Sequence, residues 1–580
     1  MGRTPSPYAA EAGTLGVLLC WAIVFADIGT SVYYTPGILF QRFGTHSALF
    51  VDLVFVVFVL LAFKYAEVAI RFPEGGGVVS VAAKAFHPIV GLVGGLLILA
   101  DYFLTAGISA TSGVIYLSVL IGPLKSFIIV AAIAALLLLG LLNLIGIATS
   151  AEITAIFAVA AATTQLAVVA AVIVAFGPAR IWADFGQMFA GPHLTPALAI
   201  TGYAGAFLAF SGLESISQLA PAMKSPRTRV APRTMFYVVL TLLMTSPLLT
   251  LWSTTLLAPG ADTNQSISLL GGVAAGPLLQ DAVAASGALL LIFACNTALI
   301  GSYHVFLALS RMKFLPAILQ RANRWRGTPH VSIGMATLVP LLVVFLAGGS
   351  LAFLGDLYAF GLLGAFSVTC VGLDVIRWRE RRTLQPRRLA PRTSTPVFVI
   401  GTLTSVAVVA AWVTNLFTKP LATVYGGALV VVGLGVAFLT IRAQVRRGQY
   451  AIFPHLYRPG ESTLLTRLRR GLEPAPVLAF LPGDRGKVAE VVRRTLDRAT
   501  KGPIVFAFRG ETPRTRPPNV LEILDPYADD PRAQAAFQEA ESGARKAGVR
   551  ARYVYIPAGA DQGVEEWVHE QLRPEEVITG

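Results

Sequence analysis

Between Gly13 and about Ile441 the sequence repeats apolar runs long enough to cross a hydrocarbon core as helix, which takes roughly 20 residues each. One such run suits a signal peptide or a single anchor, but a long succession does not. Hydrophobic residues make up 55% of the 580 and charged residues only 13%, so lipid must be the solvent for most of the chain. The runs predict about twelve spans, at 13–40, 47–72, 89–121, 126–147, 152–176 and 195–219, then at 234–257, 282–309, 331–345, 352–376, 397–417 and 424–441.

A formal charge of +14 could suggest nucleic acid, so its placement matters more than its size. The excess lies in alternate loops. One set carries Lys224, Arg227, Arg229 and Arg233, then Arg311, Lys313, Arg321, Arg324 and Arg326, then Arg377, Arg379, Arg381, Arg382, Arg387, Arg388 and Arg392. The intervening stretches 258–276 and 347–356 contain no Lys or Arg. This is the positive-inside pattern of an inner (cell) membrane protein; with an even number of spans it predicts that both termini are cytoplasmic. Nucleic acid is not an expected partner, whereas membrane lipid is. Cys20, Cys295 and Cys370 fall within spans without metal-ligand or redox spacing, and the seven scattered histidines form no i, i+4 pair. No resident cofactor or imidazole-based metal centre is expected, and no nucleophile and base are spaced for an enzyme.

Two spans are internally interrupted. The first contains Asp27, Gly29, Thr30 and Ser31; the sixth contains Ser211, Gly212, Glu214, Ser215 and Ser217. They are five spans apart. A packing notch would explain either alone, but polar, glycine-bearing breaks at matching positions point to an inverted repeat with discontinuous helices. Unwound backbone is tolerated at that depth only where it lines a cavity or is covered by protein.

Acidic side chains in hydrocarbon mark function by default. Asp27 and Asp101 fall near the middle of their spans, and Glu214 lies further along the sixth. Thr105 and Ser109 follow Asp101 at i+4 and i+8 on one helix face, while Tyr34 lies about two turns after Asp27. Lys64, the nearest basic residue, can pair with Glu67 or snorkel and is not expected to neutralise the central acids. Asp52, Glu152, Asp356 and Asp374 lie near span ends, where a solvated role is expected. Carboxylates with hydroxyls and freed carbonyls suit a cation that exchanges its hydration shell for protein oxygens. They equally suit carboxyls that carry protons, because burial without a counter-ion favours the neutral form. A carboxyl that trades a proton for a cation would couple the two.

Past Ile441 the chain becomes charged. Strands are predicted at 477–481, 503–508, 519–524 and 552–556, with helices at 487–499, 532–547 and 564–572, a small α/β domain with a largely parallel sheet. Its Gly483-Asp484-Arg485-Gly486 turn follows a strand and precedes a helix, where a phosphate could bind, but it matches a nucleotide fingerprint poorly and suits an ordinary turn. The expected division is a transporter domain over 1–445, a linker over 446–475 and a cytosolic domain over 476–580.

Over 13–441 the sequence resembles the amino acid-polyamine-organocation superfamily, through Pro73-Glu74-Gly75-Gly76-Gly77 and Phe210-Ser211-Gly212-Leu213-Glu214 followed by Pro221, Lys224 and Pro226. That resemblance implies the LeuT-type five-plus-five inverted repeat. Ala26-Asp27-Ile28-Gly29-Thr30-Ser31-Val32-Tyr33-Tyr34 is similar to the GDIGTSPLY hallmark of the KUP-type potassium uptake family, departing at Ala26, Val32 and Tyr33. Asp101-Tyr102-Phe103-Leu104-Thr105 with Ser109 resembles the third-helix pattern of the KimA-like branch. The resemblance implies potassium ligands at Asp27, Tyr34, Asp101, Thr105, Ser109, Ser211, Glu214 and Tyr358, with Ser211 standing where a Thr is expected and Tyr358 assigned by its place in the tenth span. The backbone at Gly29 and Thr30 belongs to the same candidate site. Proton-coupled potassium import is implied, with a C-terminal domain similar to universal stress proteins and involved in dimerisation or regulation; nucleotide control of that domain is left open.

The rival reading is a proton- or sodium-coupled amino-acid permease, whose first break would hold a substrate carboxylate on free amides. Asp27 counts against it by repelling that carboxylate, and the fifth span lacks a Lys to act as a proton-linked cation. Thr297 and Ser302 in the eighth span leave sodium open. A receptor signalling through the C-terminal domain would need a bistable link that the short 442–475 connection does not display.

Overall fold

The computed structural model describes residues 13–72, 75, 77–146, 151–191, 193–312, 314–323, 325–382, 393–446, 476–498, 504–510, 531–549, 551–556, 572 and 574–579. Twelve of its helices are long and apolar enough to cross a membrane: Val17–Phe43, His46–Arg71, Pro88–Leu120, Gly122–Ile145, Ala151–Gln187, Pro196–Gln218, Arg227–Thr255, Pro277–Ser310, His330–Ala347, Leu351–Arg379, Thr395–Thr418 and Pro420–Ala443. They are called the first to twelfth spans below. Each overlaps one of the predicted apolar runs. The fifth overshoots its predicted end because a helix restarts at Pro178 after Gly177 leaves helical geometry at φ 71°.

Burial separates the spans that carry a polar interior from those that face lipid. The first, third, eighth and tenth are the most enclosed, whereas the fourth, eleventh and twelfth expose most of their surface. Polar side chains concentrate in the enclosed group, where neighbouring protein replaces the hydrogen bonds that lipid cannot offer.

Both expected interruptions are present, and they differ. The first span is a helix over Val17–Ile28 and another over Ser31–Phe43; Gly29 and Thr30 between them keep near-helical angles, so the break is a short kink. The sixth passes from helix Pro196–Ala206 through a 3₁₀ turn at Phe207–Phe210 to an extended Ser211 and Gly212 at φ +95°, resuming as a single turn at Ser215–Gln218. Phe210 stacks on Phe58 of the second span with ring centroids 4.7 Å apart, holding the lip of this unwound stretch against its neighbour.

A dense ion-pair cluster ties the second, tenth and eleventh spans together on the side where the chain enters the membrane, and it corrects two expectations. Lys64 pairs with neither Glu67 nor the interface: its Nζ donates to both Asp374 oxygens at 2.9 Å, to the Gly401 carbonyl at 2.8 Å and to Ser405 at 2.7 Å. Asp374, expected to be solvated, is buried, because three donors replace the water that a span end would otherwise supply. Glu67 instead accepts from Arg71 at 2.6 Å and from Arg377.

The chain divides into two compact units, one of Met1–Ser310, Ala317–Arg377 and Leu389–Leu434, the other of Arg311–Pro316, Trp378–Arg388 and Gly435–Gly580. Among its described residues the second contains four parallel strands, β1 (Val477–Leu481), β2 (Ile504–Arg509), β3 (Ala551–Ile556) and β4 (Glu576–Thr579), in the order β3-β2-β1-β4. Val477 registers with Ile504 and Phe506 with Tyr553. Helices Arg485–Arg498 and Pro531–Lys546 supply Val488, Val491 and Phe537 to the core formed with Phe506 and Tyr553. β4 was not expected: four residues are too few to show a period. The predicted strand at 519–524 lies outside the described residues, as does the predicted helix at 564–572 apart from Leu572, and so do 447–475 of the expected linker and Pro73, Glu74 and Gly76. In the glycine turn after β1, Asp484 accepts from the Gly486 amide at 3.0 Å, so the turn caps its own helix.

Candidate ion-binding site

The two interrupted spans meet through hydroxyls. Ser31 and Ser211 lie 2.7 Å apart, Ser31 and the Tyr34 hydroxyl 3.0 Å, and Tyr34 and Ser211 3.4 Å, so three oxygens from both breaks form one triangle. Tyr34 reaches it because Ser31 and Tyr34 are one helical turn apart in the second half of the span. Ser215, in the turn that follows the sixth break, donates to the Asp27 carboxylate. Gly212 makes this approach feasible: a Cβ there would fall 2.8 Å from the Asp27 carboxyl carbon, and its φ of +95° suits glycine.

Beside this pair stands the third span. Thr105 donates to the Asp101 carbonyl at 2.9 Å and lies 2.6 Å from the Tyr358 hydroxyl of the tenth span. The spans cross closely, since a Cβ on Gly361 would fall 2.6 Å from the Asp101 amide nitrogen. Asp101 is fully buried, and neither carboxyl oxygen receives a hydrogen bond from the described residues. Tyr358 and Glu214 are the neighbours of its carboxyl, and Asp27 is close enough to act on both acids. Glu214 keeps one oxygen unbonded, and Ser109 is buried with its hydroxyl free of hydrogen bonds among the described residues. Such uncompensated buried oxygens are costly unless something else meets them.

The residues named from sequence therefore fall into two groups. Asp27, Tyr34, Asp101, Thr105, Ser211, Glu214 and Tyr358 are brought together by the first, third, sixth and tenth spans, with Ser109 one turn beyond Thr105. Gly29 and Thr30 serve the kink: the Thr30 hydroxyl donates to the Asp27 carbonyl at 2.6 Å, and the Gly29 carbonyl accepts from Gln165 of the fifth span at 3.3 Å. Lys64 is held by Asp374, as described above, and does not serve the central acids. Thr297 and Ser302 turn back onto carbonyls of their own helix at 2.8 and 2.9 Å.

Sequence reasoning placed Ser31 in the first break and Ser215 in the sixth without assigning either a contact, and it did not single out Gln165. Ser31 lies at i+4 from Asp27 across the near-helical kink, a spacing that keeps the two on one face, whereas the unwound stretch from Ser211 to Glu214 gives Ser215 no such signal. For Gln165 the signal was Thr163-Thr164-Gln165, a polar step in an otherwise apolar run.

Chemically the arrangement offers three carboxyl groups and a ring of hydroxyls in an enclosed setting between interrupted helices, the construction used to pass a small solute through a membrane. The profile of the family described as amino acid permease matches residues 15–439, and the chain belongs to that family. It is a multi-pass membrane transporter of the amino acid-polyamine-organocation superfamily, with a small C-terminal α/β region, and it is not an enzyme.

Among individual relatives, the potassium transporter KimA of Bacillus subtilis (strain 168) is 25% identical over 403 residues, which cover 66% of this chain and 64% of that protein. The match thus spans somewhat less than two thirds of that relative's length. A crystal structure of the Eremococcus coleocola manganese transporter with an aromatic bis-isothiourea substituted compound superposes with a TM-score of 0.48 at 16% identity, covering 75% of this chain and 98% of that one. A mutant of the same transporter gives a TM-score of 0.47 at 17% identity, covering 77% and 97%.

Proposed function

We propose that this chain imports a small monovalent cation, potassium, by proton-coupled secondary transport across the cell membrane. The observation that carries the reading is the convergence of Asp27, Asp101 and Glu214 in one enclosed cluster, while Lys64, the basic candidate within a span, is committed to Asp374. Hydroxyls of Tyr34, Thr105, Ser211 and Tyr358 stand beside these acids and would complete an oxygen shell. An ion entering such a shell gives up water and takes oxygens held at fixed positions. Two of the three acids keep unbonded oxygens, which suits groups that carry a proton in one half of the cycle and face a cation in the other. The relative KimA, a potassium transporter, favours the same ion.

In this reading the basic loops, among them Lys224, Arg227, Arg229 and Arg233, are cytoplasmic, and so are both termini. The sequence over 476–580 then forms a cytosolic domain, which we assign to regulation or dimerisation.

Amino-acid transport is the second reading, favoured by the family to which the chain belongs. Uptake into liposomes separates the two: rubidium, as potassium analogue, is expected to accumulate and labelled amino acids are not. Amino-acid uptake without rubidium uptake would overturn the cation assignment. Asp27→Asn is expected to abolish rubidium uptake with the protein still produced and folded; unchanged uptake removes Asp27 from the site.

A further inference from the structure

On the membrane face opposite the chain's entry, a second group of charges lies above the carboxyl cluster. Asp356, near the start of the tenth span, accepts two hydrogen bonds from Arg42 at the end of the first span, both 2.8 Å. Its Oδ1 also lies 3.4 Å from Lys419, the single residue between the eleventh and twelfth spans. The two cations are placed differently. Arg42 is half exposed, with 50% of its side chain accessible, whereas Lys419 is folded inward to 9%.

Lys419 forms one wall of a cavity of about 10 Å³, room for the centre of about one water. Phe207 and Leu208 of the sixth span and Gly355 and Tyr358 of the tenth supply other walls. Tyr358 thus faces the cavity while its hydroxyl lies 2.6 Å from Thr105 and beside Asp101. Asp356, Lys419, the cavity and Tyr358 follow one another towards Asp101, the order that a route from that face to the carboxyl cluster would take. A lysine folded inward among apolar walls, sharing one carboxylate with an arginine, is an expensive placement for a residue at a span junction, where water is within reach. Two cations to one carboxylate also leave the entrance one charge positive, which repels a cation approaching from this face.

We propose that Lys419 is a tethered cation that plugs the route from this face to the carboxyl cluster, held in place by Asp356 and admitting an ion only when that contact opens. The idea rests on the cation reading of the site. Its test does not, because accessibility of the route can be read without transport.

Ala359 also lines the cavity, and the three native cysteines, all buried, can be replaced, leaving Ala359→Cys as a single reporter. In purified full-length protein, modification of that cysteine by a cationic methanethiosulfonate, which forms a mixed disulfide and releases methanesulfinate, is expected to be about tenfold faster with Lys419→Met than without it, the scale of removing a nearby like charge and its steric block. Lys419→Arg, which keeps the charge and most of the bulk, is expected to retain the slow rate. Equal rates in all three proteins overturn the plug; a fast rate in Lys419→Arg as well overturns its ionic character. Rubidium uptake is measured in parallel. If the chain without substitutions transports no rubidium while the modification pattern holds, the cation reading fails and Lys419 is left as a barrier towards the carboxyl cluster for another solute.

Discussion

Single residues decide how the two breaks meet. Gly212 combines a φ of +95° with a contact that would put any Cβ 2.8 Å from the Asp27 carboxyl carbon. Gly212→Ala therefore carries a backbone cost of about 1–3 kcal/mol and displaces Asp27 from Ser215. Substrate uptake is expected to fall severely with only modest loss of thermal stability; normal uptake would show that the Asp27–Ser215 contact is dispensable. Much of this locality was legible in the sequence: an acid, a glycine and hydroxyls inside an apolar run mark a break without any structure. Ser215 as the partner of Asp27 was not, because that contact joins residues 188 positions apart and depends on the path of an unwound segment.

At the scale of elements, the apolar runs located the twelve spans and the β–α alternation located β1, β2 and β3 with the two described helices beside them, while β4 went unseen. Pairing between helices was less visible. Lys64 has Glu67 three residues away, an arrangement that suggests a local pair. The packing of the second span against the tenth and eleventh instead gives it Asp374, Ser405 and the Gly401 carbonyl, and Glu67 turns to Arg71 and Arg377. Removing one member of a buried pair strands its partner, at about 3–5 kcal/mol, whereas replacing both with apolar groups is far milder. Lys64→Met should lower the melting temperature clearly, and Lys64→Met with Asp374→Leu should recover most of the loss, as read by thermal unfolding in detergent. A double variant no more stable than the single one would mean that the pair is not the main constraint.

Over the whole molecule the two units bring different chemistry. The α/β unit buries Tyr553 against Phe506 and Phe537. Burial, reinforced by the charge of Glu541, raises the Tyr553 phenol above its ordinary 10.0. The unfolded chain then loses this proton at a lower pH than the folded one, so stability is lost as pH rises through about 10. Alkaline melting of the α/β unit should steepen in that range and flatten in Tyr553→Phe; identical profiles would count against the phenol as a source.

In the membrane unit, the direct link between the two breaks is short-ranged. Ser31 and Ser211 touch at 2.7 Å through side chains only two heavy atoms from the backbone. Such a bond has no slack: a relative slide of roughly 1 Å ends it, whereas a long side chain would follow the movement. A slide that parts Ser31 from Ser211 also draws on the Tyr34–Ser211 contact and the Ser215–Asp27 bond, so the three are expected to be lost together.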